Sequence, residues 1–214
     1  SGGDVGYAGV GSKRQQCLTY RDMIVRKARA MPAPLYPLNS LKSQGVMCAP
    51  LSLAGKISND PNDLIDDIRM AAASGTQLQE YFVRPSMIVP EVWDAMAEAL
   101  LWMQQNADVL VDTHWVGGDP GEGEVYGYAS WSPRKGILVL RNPADQPSHL
   151  AVDVQAVFEL PADAPRVYRL AVPWKSAAAD EPLLLRAGHP QRIELAPFEV
   201  LVFDATAVSS HTAP

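Results

Sequence analysis

The polar groups of this chain best suited to chemistry fall in a few short clusters. Lys13-Arg14 sets two cations side by side, a pair able to meet hydroxyls or a carboxylate, or to serve as surface charge at a helix start. Asn39-Ser40 follows an apolar, proline-bounded run and has the composition of an Asx-type turn. In Gln77-Leu78-Gln79-Glu80 an extended backbone sends Gln77 and Gln79 to one face and Glu80 to the other. Asp4 is a carboxylate in the glycine-rich opening Ser1-Gly2-Gly3-Asp4. Other chemistries find little to work with. His114, His149, His189 and His211 are scattered, without metal spacing or a nucleophile motif beside them, and Cys17 and Cys48 form no Cys-x-x-Cys pair. Gly117-Gly118-Asp119-Pro120-Gly121 lacks the phosphate-loop pattern and opens no helix. No metal and no cofactor are therefore expected.

The elements that must position these groups change character along the chain. Residues 13 to 31 lack Pro and Gly and place Cys17, Leu18, Met23, Ile24, Val25 and Ala28 at helical spacing, so a helix ending at Pro32 is predicted. Residues 33 to 38 suit a short buried strand. Asn59-Asp60-Pro61-Asn62-Asp63 combines a capping Asp, a first-turn Pro and an acidic first turn, a helix start whose apolar stripe is Leu64, Ile65, Ile68 and Ala72. Gly75 stands where a C-terminal cap glycine belongs. Residues 77 to 83 read as a strand ending before Arg84-Pro85. A long helix runs from Pro90 through Trp93, Met96, Ala97, Leu100, Leu101, Ala107 and Leu110. Strands alternating with helices argue for βα units around a parallel sheet.

From Glu124 onward nothing looks helical. Short runs rich in Val, Ile, Leu, Tyr and Phe alternate with Pro, Asp, Gly and Asn, which predicts an all-β sandwich with strands at 124–131, 136–141, 149–159, 166–172, 182–186, 191–195 and 198–204. The expected organisation is residues 1–116 as one part, 117–123 as linker and 124–214 as the sandwich.

Length and charge bound the function. At 214 residues and 47% hydrophobic, the chain can bury one large core or two small ones. Residues 1 to 116 carry 10 Lys+Arg against 12 Asp+Glu and the remainder 8 against 12, so neither half has the basic stripe a phosphate backbone needs. Nucleic acid is not expected as a partner. No stretch approaches the roughly 20 apolar residues of a membrane helix, so no membrane partner is expected, and the compartment stays open.

Several segments resemble the C-terminal end of α-galactosidase-like glycoside hydrolases, the melibiase clan, and most closely its bacterial members labelled enterotoxin-like. They are Gly11-Ser12-Lys13-Arg14-Gln15-Gln16 with Tyr20-Arg21-Asp22, Pro34-Leu35-Tyr36-Pro37-Leu38-Asn39-Ser40, and Gly75-Thr76-Gln77-Leu78-Gln79-Glu80. Asn106-Ala107-Asp108-Val109-Leu110 through Pro120, Trp131-Ser132-Pro133-Arg134-Lys135-Gly136, Leu140-Arg141-Asn142-Pro143 and Pro197-Phe198-Glu199-Val200-Leu201 extend the likeness. The resemblance implies the last βα units of a (β/α)8 barrel followed by an antiparallel β-sandwich. A closed barrel takes about 250 residues, so this chain is expected to be a piece of a longer enzyme.

Such enzymes use two carboxylates about 5–5.5 Å apart, a nucleophile and an acid/base. The resemblance places the nucleophile on a fourth barrel strand that has no counterpart here, and puts Asp4 in the position of the acid/base just after the sixth. It further implies Lys13, Asn39, Ser40 and Gln79 as substrate-binding groups, carbohydrate as the ligand, and an inactive fragment. A non-catalytic carbohydrate-binding or interaction module is the alternative. An exposed planar aromatic pair on the sandwich would favour it, and burial of Tyr128 and Trp131 at the junction of the two parts would count against it. Oligomeric state is open, although an incomplete barrel would expose strand edges and apolar helix faces.

Overall fold

A computed structural model describes residues 6–29, 37–42, 45–48, 57, 60–76, 78–174 and 182–208. Asp4, Gln77 and most of the strand expected at 33–38 lie outside these residues.

Among the described residues, three long helices and a short fourth carry the first half. Helix α1 (Lys13–Arg29) starts on Ser12, whose hydroxyl accepts from the Gln15 amide at 3.2 Å. It buries Leu18 and Val25, but also Arg14, Gln15, Thr19, Arg21 and Asp22, an unusually polar inner face. Helix α2 (Pro61–Ala73) begins as its sequence requires: the Asp60 carboxylate accepts from the amides of Asn62 and Asp63 at 2.9 and 3.3 Å. Leu64, Ile68, Ala71 and Ala72 form its buried stripe, and Gly75 ends it with φ at +66°. A Cβ on Gly75 would stand 1.9 Å from Thr113 Oγ1, so the position needs glycine for space as well as for conformation. Helix α3 (Pro90–Gln105) stops earlier than its apolar periodicity predicts. Asn106 leaves the helical conformation and its side-chain amide donates to the Trp102 carbonyl at 2.8 Å, so the chain restarts as the short α4 (Ala107–Leu110).

Helix α2 connects two parallel strands, β1 (Val46–Cys48) and β2 (Tyr81–Val83), in register Val46↔Tyr81 to Cys48↔Val83, with a further bridge between Lys42 and Leu78. The expected strand at 77–83 is thus present in shortened form. Leu38, placed by sequence at the end of a strand, sits instead in a 3-10 turn with Asn39 and Ser40. β1 lies in the short apolar run Val46-Met47-Cys48-Ala49 that Pro50 interrupts, too brief to announce a strand.

Eight further strands follow: β3 (His114–Gly117), β4 (Tyr126–Ser132), β5 (Lys135–Arg141), β6 (Ser148–Val152), β7 (Val167–Ala171), β8 (Leu183–Arg186), β9 (Gln191–Leu195) and β10 (Val200–Ala207). They form a six-stranded antiparallel sheet in the order β3-β4-β5-β10-β7-β8 and an antiparallel pair β6-β9. The sheet takes its first strand, β3, from residues ahead of the expected boundary. The expected strand at 149–159 ends at Val152 and gives way to a helical turn, α5 (Val154–Val157), capped by Asp153, whose carboxylate accepts from the Gln155 amide at 2.9 Å. The second half therefore contains helix after all, because a local side-chain cap competes successfully with the sheet ladder.

Strand β5 shows how the layers stack. Its alternation sends Leu138 and Leu140 into a core shared with Val152, Phe158, Ile193 and Leu195, and Ile137 and Val139 into a core shared with Val25, Met70, Trp102 and Leu110. Both faces are covered, one by the second sheet and one by the helices, which is why all seven residues of β5 are buried.

Candidate functional site

In βα folds the chemistry collects at the C-terminal ends of parallel strands, where helices begin. Here that end is marked by the carbonyls of Met47 and Cys48: Arg14 Nη2 donates to the first at 2.9 Å and the Arg84 amide to the second at 2.7 Å. The N-termini of α1 and α2 meet beside it. Ser12 Oγ donates to Asp63 Oδ2 at 2.6 Å and Gln15 Nε2 donates to Asp63 Oδ1 at 2.9 Å, so one carboxylate ties the two helix starts together. Lys13 is exposed, with Nζ 4.8 Å from the centre of the Tyr7 ring and 3.2 Å from Gln16 Oε1. A cation poised over an aromatic face at this rim can donate to hydroxyls or a carboxylate.

The other proposed ligand groups are elsewhere. Asn39 and Ser40 precede β1, at the opposite end of the parallel strands. Asn39 Nδ2 donates to the Val111 carbonyl at 2.9 Å, and the Ser40 hydroxyl to Asn39 Oδ1 at 3.3 Å. Gln79 precedes β2 at that same end, where its amide donates to the Ala71 carbonyl and accepts from the Tyr81 hydroxyl at 3.0 Å. A cavity of about 320 Å³ opens beside Asn39, lined by Ala72, Thr76, Met103, Leu110 and Val111 among others, and its mostly apolar walls do not match a polyhydroxylated ligand. The structure therefore leaves Lys13 on the C-terminal side, separates it from Asn39, Ser40 and Gln79, and does not describe Asp4. Ser12, Gln15 and Asp63 were not singled out from sequence, although Ser12-x-x-Gln15 is a capping-box spacing that could have drawn notice to them.

Behind this rim lies a buried charged layer. Asp67 accepts from Arg14 at 2.9 Å and Arg21 at 2.8 Å, Arg21 Nε donates to Asp22 at 3.0 Å, and Asp22 accepts from the hydroxyls of Tyr126 and Tyr128. Arg141, fully buried, completes the layer from β5, donating to Thr19 Oγ1, to the Tyr126 hydroxyl, and to both the carbonyl and the side chain of Gln15 at 2.9 to 3.1 Å. Burial holds the Tyr126 and Tyr128 phenols well above their ordinary range, with Asp22 adding to the effect. Burial also pushes the Cys17 thiol up to about 11, reinforced by Asp67, so it stays protonated and is no nucleophile. The charged groups of this layer lie beneath the rim and are buried, and Cys17 beside them is half-buried.

The distinctive Trp131-to-Gly136 run is likewise structural. Trp131 Nε1 donates to the Tyr168 hydroxyl at 3.0 Å inside the sandwich, Arg134 pairs with Asp108 at 2.7 Å and reaches Asn106, and Lys135 pairs with Asp204 at 2.7 Å. The tip of the β4–β5 hairpin thus clamps the break between α3 and α4. Trp115 stacks on Tyr126 with ring centres 5.0 Å apart, joining sheet to helices. Among the described residues no group of His, Cys, Asp and Glu could hold a metal ion, and no helix is long and apolar enough to cross a membrane.

No protein-family model and no curated protein matches this sequence. Solved structures do match its fold. A candidate α-N-acetylgalactosaminidase from Bacillus halodurans C-125 superposes with TM-score 0.59 at 11% identity, over 95% of this chain and 48% of that one. The α-galactosidase from Lactobacillus brevis gives 0.59 at 13%, over 92% and 26%, and the α-galactosidase from Saccharomyces cerevisiae solved with raffinose gives 0.50 at 9%, over 71% and 44%. This chain spans about half the length of the first structure and about a quarter of the second. At such identities the likeness is one of fold: mixed α/β with antiparallel sheets, α-galactosidase-like.

Proposed function

We propose that this chain is the C-terminal part of a retaining glycoside hydrolase acting on α-glycosidic bonds, contributing the last βα units of a (β/α)8 barrel and a β-sandwich braced against them. The observation that carries this reading is the fold likeness: more than nine-tenths of the chain follows two such structures, yet only half or less of each is accounted for. Asp4 is the acid/base of the proposal. It immediately precedes the segment that enters α1, and the helix start at Lys13 is held against the C-terminal end of β1. The nucleophile comes from a longer form of the polypeptide, so the 214-residue chain by itself is inactive, since one carboxylate cannot perform both steps of a double displacement. Lys13 remains the substrate-binding candidate, whereas Asn39, Ser40 and Gln79, at the far end of the strands, support the scaffold.

The aromatic residues support this choice over a carbohydrate-binding module. Tyr126 and Tyr128 are fully buried against the helices, and the half-buried Trp131 is bonded to Tyr168 on the other face of the sheet and not at the junction, so these rings form no exposed flat pair. The test is hydrolysis of a panel of aryl α- and β-glycosides by this chain and by the longer polypeptide, side by side. Turnover of α-glycosides by the longer form alone supports the proposal. Turnover by neither, with sugar binding retained by the 214-residue chain, overturns it.

A further inference from the structure

The Ser12–Lys13 start of α1 is held from the sandwich as well as from its own half of the fold, and Gln15 is the link. Gln15 is 3% exposed, and its side chain is gripped at both ends: Oε1 accepts from Arg141 Nη2 at 2.9 Å, and Nε2 donates to Asp63 Oδ1 at 2.9 Å. A guanidinium only donates and a carboxylate only accepts, so this amide fits one way round. Asp63 takes the Ser12 hydroxyl on its other oxygen at 2.6 Å. The bonds therefore run unbroken from Arg141, the last residue of β5, through Gln15 and Asp63 to Ser12, the neighbour of Lys13. Each of the three has one charged member, which makes it short and strong.

A second contact reaches the same segment from the same end of the sheet. Arg141 pairs with Val200, the first residue of β10, and Phe198 lies two residues before it. Phe198 has a left-handed backbone, φ +61°, rare for an aromatic residue, and its ring lies where a Cβ on Gly11 would stand only 2.7 Å away. Gln16 closes the segment onto the helix: its carbonyl accepts from the Ala8 amide at 3.1 Å, and its side chain donates to the Gly11 carbonyl at 3.1 Å. Lys13 has no comparable fixture of its own, since its exposed ammonium meets only the Gln16 side chain and the Tyr7 ring. A long, flexible side chain is placed no better than the backbone that carries it, and a misplacement of about 1 Å is enough to weaken a contact to substrate.

We propose that Arg141 and Gln15 are positioning residues for Lys13, so that the sandwich, through Gln15, Asp63 and Ser12, fixes where the substrate-binding cation of the rim stands. This rests on the glycosidase reading and on Lys13 as its substrate-binding group. A contact made alike in ground and transition states shows in KM and not in kcat. The experiment measures both constants for the longer polypeptide on an aryl α-glycoside, with Gln15→Met, Lys13→Met, the two combined, and Ser130→Ala as control, a buried hydroxyl bonded to Thr113 away from the rim. Gln15→Met and Lys13→Met each raise KM at least about threefold with kcat changed less than about twofold, the combination goes no further than Lys13→Met alone, and the control moves neither constant. Gln15→Glu alone sets carboxylate against carboxylate and also raises KM. Joined to Asp63→Asn it exchanges the roles along the chain: the new carboxylate accepts from Arg141 and from the new amide, whose oxygen takes the Ser12 hydroxyl, and KM returns to within about twofold of its original value. Ser12→Ala, at the half-buried end of the chain, gives the same rise as Gln15→Met and keeps the test if that variant does not fold. KM unmoved by Lys13→Met, Gln15→Met or Ser12→Ala, effects of Gln15→Met and Lys13→Met that multiply, an equal shift from Ser130→Ala, or no rescue overturns this proposal alone. No hydrolysis by the unsubstituted longer polypeptide overturns the glycosidase reading, and this proposal with it.

Discussion

Asp67 holds two buried guanidinium groups, Arg14 and Arg21, with one carboxylate. Replacing it by Asn removes a negative charge that faces two cations in a dry layer, of which Arg21 keeps Asp22, and we expect a loss of about 3 kcal/mol in urea unfolding. Asp66, its neighbour on the same helix, is set the other way. Burial raises its carboxyl to about 7, with Asp63 and Glu199 adding to the effect and Arg69 and Arg141 opposing it. The folded state then keeps a proton that the unfolded chain gives up near pH 4, so this residue's contribution falls as pH rises from about 4 to about 7. Asp66→Asn should accordingly stabilise the protein at pH 8, on the order of 2 kcal/mol, and make no difference below pH 4. Thermal melts of both proteins across that range check the sign. Equal melting temperatures at pH 8 would show that Asp66 is ionised without cost.

At the scale of elements, the helices with explicit stop and start signals were legible. Asp60-Pro61 opened α2 and Gly75 closed it as their side-chain chemistry requires. These two ends should respond differently to mutation. Asp60→Ala removes one cap and costs about 1 kcal/mol. Gly75→Ala meets both a left-handed backbone and the Thr113 hydroxyl, which bonds Leu110 and Ser130, and should cost about 2 kcal/mol or more in the same denaturation assay. What sequence hid was decided by local hydrogen bonds. Asn106 split a continuous apolar repeat by donating back to Trp102, and Asp153 turned strand-like Val154–Val157 into helix. β1 was invisible because three residues carry no periodicity, and their extended state is imposed by pairing with β2.

For the whole molecule, the cut expected near residue 117 follows composition better than cohesion. Tyr126, Tyr128, Ile137, Val139 and Val202 of the sheet share one apolar cluster with Val25, Met70, Trp102 and Leu110 of the helices. Beneath it, Arg141 grips Gln15 and Thr19, and Arg26 pairs with Asp119 in the segment expected as linker. Unfolding should therefore be a single transition, with tryptophan fluorescence and far-ultraviolet circular dichroism giving coincident urea curves. Two separated transitions would show that the halves fold independently.

The site was less legible than the fold, because a residue's number along the chain does not say at which end of a strand it falls. Asn39, Ser40 and Gln79 had suitable side chains, but strand β1 begins after Asn39 and Ser40, and Gln79 precedes β2. Lys13 lies beside the C-terminal end of β1 because Arg14 bonds the Met47 carbonyl and Ser12 bonds Asp63 at the start of α2.

Asp4 is proposed to belong to a retaining α-glycosidase completed by the longer polypeptide. Its most direct measurement is proton NMR of the sugar first released from an aryl α-glycoside by that polypeptide, with Asp4 and with Asp4→Asn. The expected initial product is the α-anomer, with a rate lowered by about 10²–10⁴-fold on substitution. Initial β-anomer, or a rate indifferent to Asp4→Asn, would contradict it.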